Sequence, residues 1–265
     1  MTDEELVALN REGFIPGPDE GVHEFLERVR EFGRETVKLG GDPIPDAHWQ
    51  WVRGHLKKVF DFEPASLPAF YSNRLLAPWQ GAAAWILNGR LIGIQLRERM
   101  RTGSYLGLYQ RDEILAHEAV HAARSAFHES ENEEFFAYLT SEAKWRRALG
   151  PILRRPWEAW PFVIGLGVGI FWPWGWWVAA SWFTLGSLRL VRQHRILAHA
   201  TRHILDEIGD TRTTRAILLR LTDREIRHFA KLGNIRNYAE KEPSLRWRLI
   251  RLAYIHGTKN SRSGK

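Results

Sequence analysis

Cysteine is absent from all 265 positions. That excludes any disulfide framework and suits a reducing compartment. Internal repeats are missing too, as are zinc-finger spacings, RNA-recognition signatures and interleaved basic-aromatic runs, so nothing supports nucleic acid as a partner. The first residues, Met1-Thr-Asp-Glu-Glu, are acidic rather than basic and then apolar, so no signal peptide is expected. Charge of either sign is missing from the thirty residues 159–188. The length suffices for one larger domain with a smaller helical one.

What is present begins with His117-Glu118-Ala119-Val120-His121, which reads HExxH. On a helix, positions i and i+4 share a face, so both imidazoles could grip one metal ion from one side. Glu118 would then lie where its carboxylate reaches a water on that metal. Asp112 is expected as the N-cap, and the apolar and alanine-rich residues that follow contain neither Gly nor Pro. At about 100° per residue, the two histidines share an arc with Glu118 and Arg124. The opposite arc is nearly all alanine or larger aliphatic residues, suited to close packing.

A catalytic zinc needs a third protein ligand and one open position. With no Cys to supply it, the nearest candidates are Glu133 and Glu134, at the start of a following acidic helix, and His128. His128 sits where the first helix should end and suits the last carbonyls better. Glu134-Phe-Phe-Ala137 has the form ExxA, with a small residue one turn after the carboxylate that lets two helices approach closely. This arrangement resembles the gluzincin (thermolysin-like) metallopeptidases over about 30 residues, 112 to 141. The resemblance implies His117, His121 and Glu134 as Zn2+ ligands and Glu118 as the general base, acting on a peptide or protein substrate. Tyr138, Arg124 and Tyr109 are candidates to stabilise the oxyanion, with Tyr138 preferred.

Upstream, the runs 83–87 and 90–96 flank Asn88-Gly89, a strong hairpin signal. A third short run, 105–109, leads into the HExxH helix. The resemblance implies a small antiparallel sheet here, whose edge strand could bind extended substrate. Helices are expected over 2–10, 21–39 and 46–60, and beyond the apolar stretch over 193–208, 213–221, from Thr222 with a Thr222/Glu225 capping box, and after Pro243.

The uncharged stretch 159–188 exceeds the roughly 18 residues that mark a membrane segment. Seven of the thirteen tryptophans fall between Trp157 and Trp182, as interfacial anchors do. Pro173-Trp174-Gly175 interrupts it. A transmembrane helix and a hairpin both fit, and arginines at both ends favour the hairpin, because positive residues stay cytoplasmic. Gly165, Gly167, Gly169, Ala179 and Ala180 are expected to bring its arms together.

Net charge is −5 over residues 1–150, +2 over 151–190 and +10 over 191–265. A basic region beside an apolar one suits anionic lipid. The expected fold is α+β. A mainly helical, zincin-like catalytic domain with a small antiparallel sheet spans 1–150. A hydrophobic helical hairpin at 157–191, a basic helical module at 192–256 and a disordered tail at 257–265 follow. The expected function is a membrane-associated zinc metallopeptidase, at an inner or plasma membrane with its catalytic domain cytoplasmic. The alternative is a non-catalytic membrane protein whose basic helices bind lipid or a partner.

Overall fold

A computed structural model of the chain describes residues 1–32, 41–64, 67–78, 80–87, 90–107 and 109–256. The fold is α+β and mainly helical. Helices α1 (Asp3–Arg11), α2 (Val22–Glu31) and α3 (Trp49–Phe60) come first. A four-stranded sheet combines β1 (Asp42–Pro43), β2 (Ala69–Tyr71), β3 (Ala82–Leu87) and β4 (Arg90–Leu96) in the order β1-β2-β4-β3. A two-stranded ribbon, β5 (Ser104–Tyr105) with β6 (Tyr109–Gln110), leads into α4 (Arg111–Ala123). Then come α5 (Glu133–Tyr138), α6 (Lys144–Leu149), α7 (Ala159–Gly169) and α8 (Trp174–Ile208). Last are α9 (Thr211–Leu219), α10 (Asp223–Lys231), α11 (Ile235–Lys241) and α12 (Leu245–Ile250).

The sheet corrects one expectation: it is mixed, not antiparallel. β3 and β4 pair antiparallel as the sequence suggests, although the Asn88-Gly89 turn itself lies outside the described residues. β2 runs parallel to β4 because the chain leaves β2, crosses to the far edge to make β3, and returns antiparallel to it as β4 between the two. That leaves β3 as an edge, directly beside α4.

The HExxH helix also starts earlier than expected. Gln110 is its N-cap and Asp112 lies in its first turn, where the carboxylate complements the helix dipole and takes a hydrogen bond from Arg111 Nε at 2.8 Å. Capping boxes at Thr2/Glu5 and Thr222/Glu225 start α1 and α10. The second expected helix, 21–39, is described only as far as its C-cap at Phe32, and residues 33–40 and the 257–265 tail lie outside the described residues.

The apolar stretch forms a helical hairpin. Its turn falls at 170–173, with Pro173 as the N-cap of α8, where a missing N–H costs nothing. Contact between the arms is close enough to require glycine. A Cβ on Gly175 would sit 2.3 Å from Gly169 N, and one on Gly165 2.9 Å from Ala179 N. Gly167 and Ala180, expected in this contact, face outward instead. Among the described residues, no helix is long and apolar enough to cross a membrane.

The second arm does not stop where charge resumes. α8 continues from the apolar segment to Ile208 as one 35-residue helix, so no separate helix begins at Gln193. Nothing after Gly186 breaks it, since the arginines from Arg189 onward are good helix formers. One hydrophobic cluster joins α3, the sheet and α4 to α8–α11, running from Ile15 to Ile255.

Candidate metal centre

Helix α4 presents one packed side and one open side. Leu115, Ala116, Ala119 and Val120 are fully or almost fully buried against the core. His117 and His121 project from the other side, with their Nε2 atoms 3.2 Å apart. α5 crosses in front, close enough because Ala137 is small and wholly buried. It brings Glu134 Oε2 to 3.5 Å from His117 Nε2 and Oε1 to 3.5 Å from His121 Nε2.

These separations fit a small divalent ion. Zinc binds His nitrogen and carboxylate oxygen at about 2.0–2.2 Å in tetrahedral geometry, which places neighbouring donors about 3.3–3.6 Å apart. The histidine nitrogens, 3.2 Å apart, and the two Glu134 oxygens, each 3.5 Å from one imidazole, lie close to that spacing. His117, His121 and Glu134 form the one cluster of His, Asp and Glu donors with metal-holding geometry among the described residues.

Glu133 has a different place. Its Oε1 lies 2.9 Å from His121 Nδ1, on the far side of that ring from the three-donor cluster. Accepting a hydrogen bond from Nδ1–H there fixes the tautomer, so that Nε2 is the nitrogen offered to a cation, as a supporting carboxylate does in zinc sites. The two adjacent glutamates thus address opposite edges of one imidazole.

Electrostatics match a site built around positive charge. Burial works against a charged His121, yet Glu134 and Glu133 outweigh it and push the ring up to about 10. Burial would also raise Glu134, but His121 and His117 hold it below the usual carboxylate range. Burial pushes Glu118 up, with the two histidines pulling against it and Glu134 adding to the rise. The Ala84 backbone on β3 also pulls the Glu118 carboxyl down. A carboxylate raised in this way is better matched to proton transfer near neutrality.

The donors open into a cleft of about 360 Å³. Glu118 lines it, as do Tyr109 and Tyr138, and alternate residues Ala82, Ala84 and Ile86 of the β3 edge form a wall. The Tyr138 ring stands edge-on to His117 with centroids 4.7 Å apart, and burial followed by Glu134 pushes its hydroxyl pKa up, so it stays a donor. Gly150 makes room for this ring, since a Cβ there would fall 2.4 Å from Tyr138 Cδ1.

Two sequence candidates are placed elsewhere. Arg124 is wholly buried, donates to the Leu221 carbonyl at 3.1 Å and lies over the Phe127 ring. It shares the histidine arc, but as the C-cap it reaches past the helix end, away from the cleft. His128 is exposed, with a left-handed backbone (φ +53°), and takes no part in the cluster.

Sequence reasoning missed the clamp behind α5. Asp223, at the start of α10, accepts from Glu131 N at 2.9 Å, Asn132 N at 3.2 Å and Asn132 Nδ2 at 2.7 Å. Gln193 of α8 donates to Asn132 Oδ1 at 2.7 Å. Asn132 is the residue before Glu133, so C-terminal helices set the start of α5. Sixty to ninety residues separate these partners, and no local pattern announces such a contact. No protein-family model, curated protein or solved structure matches the chain.

Proposed function

We propose that this chain is a membrane-associated, zinc-dependent metallopeptidase. The observation that carries the reading is the spacing of His117, His121 and Glu134, with Glu118 beside them and the β3 edge along the same cleft. A bound zinc ion lowers the pKa of water towards about 7 and polarises a carbonyl oxygen. His117, His121 and Glu134 would hold the ion, and Glu133 would orient His121. Glu118 takes the proton of the attacking water and passes it to the leaving nitrogen. Tyr138 donates to the oxygen that gains charge. Substrate lies extended along β3, whose backbone groups bind main chain regardless of sequence.

The hairpin supports the membrane part. Ile170, Phe171 and Trp177 at and near its tip are each at least 73% exposed. Arg154, Arg155 and Arg189 stand at its base. Eleven residues of α7 reach only about 16 Å at 1.5 Å per residue, against a hydrocarbon core of about 30 Å. Such a hairpin enters one leaflet and returns, holding the cleft at the surface.

The test is proteolysis of an unfolded protein such as reduced casein by the zinc-loaded full chain. Cleavage should fall by at least a thousandfold in Glu118→Gln while bound zinc stays. Undiminished cleavage by Glu118→Gln would remove the assignment.

A further inference from the structure

A second cavity lies against the first. Between the two arms, at the base of the hairpin, is a groove of about 440 Å³ lined by Ile152, Leu153, Phe162, Val163, Phe183 and Leu185. Its volume falls within the roughly 300–1,000 Å³ of ligand sites. Its only charged lining residues, Glu158 and Arg189, neutralise one another at 2.7 Å. Leu153 lines both this groove and the metal cleft, so the two adjoin at that side chain. Arg154 and Arg155, at the cleft end of the junction, form no salt bridge among the described residues.

We infer that this groove is the membrane-side extension of the substrate cleft, and that it holds apolar residues adjoining the scissile segment. The inference rests on the peptidase reading and names its substrate class: a peptide segment that passes from the membrane surface into the bilayer. Two placements favour peptide as the occupant. The β3 edge and its Ala82, Ala84, Ile86 wall line the cleft, and Leu153 stands where the cleft adjoins the groove, so a main chain laid along that edge would pass it. Beyond Leu153 the surroundings change from mixed polar to apolar, at the level where Arg154 and Arg155 suit lipid headgroups. A chain that is polar at the metal and apolar a few residues further on matches both halves.

The test uses the full chain in lipid nanodiscs, with dye-labelled peptides that join an alanine-serine octapeptide to three leucines or three serines, at either end. Binding is read by anisotropy on zinc-loaded Glu118→Gln, subtracting uptake by empty discs, and cleavage on the parent. Leucine-tailed peptide should bind at least tenfold tighter than serine-tailed. Gly186→Phe fills the groove without backbone conflict, because a Cβ at 186 meets only Ile152 Cγ1, at 3.6 Å. It should bring the leucine-to-serine ratio close to one. Gly167→Phe, on the outward side of α7, should leave the ratio unchanged.

A ratio near one in the parent, or a ratio that survives Gly186→Phe, would overturn the inference while leaving any cleavage intact. If Gly186→Phe weakens attachment to vesicles but not the ratio, the groove holds lipid and the inference is again wrong. Tail-dependent binding that Gly186→Phe abolishes, with neither the peptides nor reduced casein cleaved by the zinc-loaded parent, would support the groove and refute the peptidase reading.

Discussion

Asp223→Ala removes the acceptor that three donors of the Glu131–Asn132 segment share. Asn132 is wholly buried, so its N–H and one amide proton lose their partner with no water to replace it. Each such unsatisfied group costs about 1–3 kcal/mol, giving roughly 2–6 kcal/mol of lost stability before relaxation. The consequence for the metal centre is more specific. Glu133 and Glu134 are the first two residues of α5, directly after Asn132, and neighbouring helical side chains diverge by about 100°. A small shift of this helix start therefore misaims both carboxylates. Loss of a supporting contact typically weakens metal binding 10- to 100-fold, equivalent to about 1.4–2.8 kcal/mol. Zinc competition with a chelator of known affinity measures this, with thermal melting recorded alongside. Asp223→Asn keeps one carbonyl acceptor and should fall between the parent and the alanine variant. A melting shift with zinc affinity unchanged within twofold would refute the positioning argument and leave Asp223 a structural residue only.

Gly150→Ala should displace the Tyr138 ring, lowering kcat about tenfold or more with zinc content unchanged. An unaffected kcat would take Tyr138 out of the chemistry. Burial would raise the Glu225 carboxyl, but Arg246 outweighs it and holds the pKa below the ordinary range. A depressed folded pKa gives stability that is full above the unfolded value of about 4.3 and lost as pH falls through the folded one. The melting temperature should therefore drop as pH is lowered below about 4–5, and Glu225→Gln should flatten that drop. The same variant leaves Arg246, itself 3% exposed, buried without its carboxylate, and should cost about 3–5 kcal/mol at neutral pH. An equally steep acid response in the variant would disprove the assignment. At the hairpin tip, Phe171→Asp with Trp177→Asp should weaken binding to vesicles at least tenfold, at about 2.5–3.5 kcal/mol for each acid carried into hydrocarbon. Unchanged vesicle binding would show that the hairpin faces something other than lipid.

The parts legible in the sequence are those governed by local rules. The HExxH spacing, the alanine-rich back of α4 and the capping box at Thr222 depend on residues within one or two turns. The turn near Pro173 is local as well. Charge misled where it changed without a backbone signal: α8 runs straight through Arg189 because nothing there breaks a helix. The parallel pairing of β2 was hidden because three residues are too few to show a period. The ExxA form favours Glu134 over Glu133 from sequence alone, but the place of Glu133 behind His121 depends on the start of α5, which Asp223 and Gln193 hold from far along the chain. Arg124 obeyed its helical phase, yet a long side chain at a helix end reaches places that phase does not specify.

The central claim is that His117, His121 and Glu134 hold one zinc ion while Glu133 supports it from behind His121. Zinc content and X-ray absorption of the purified full chain, compared with His117→Ala, Glu134→Gln and Glu133→Gln, test it most directly. The account predicts one zinc per chain in the parent, with two imidazole nitrogens and carboxylate oxygen at about 2.0–2.2 Å. His117→Ala and Glu134→Gln should lose the ion. Glu133→Gln should keep it with affinity reduced about 10- to 100-fold. A parent that takes up no zinc on reconstitution, or one that keeps it undiminished in Glu134→Gln, would contradict the account.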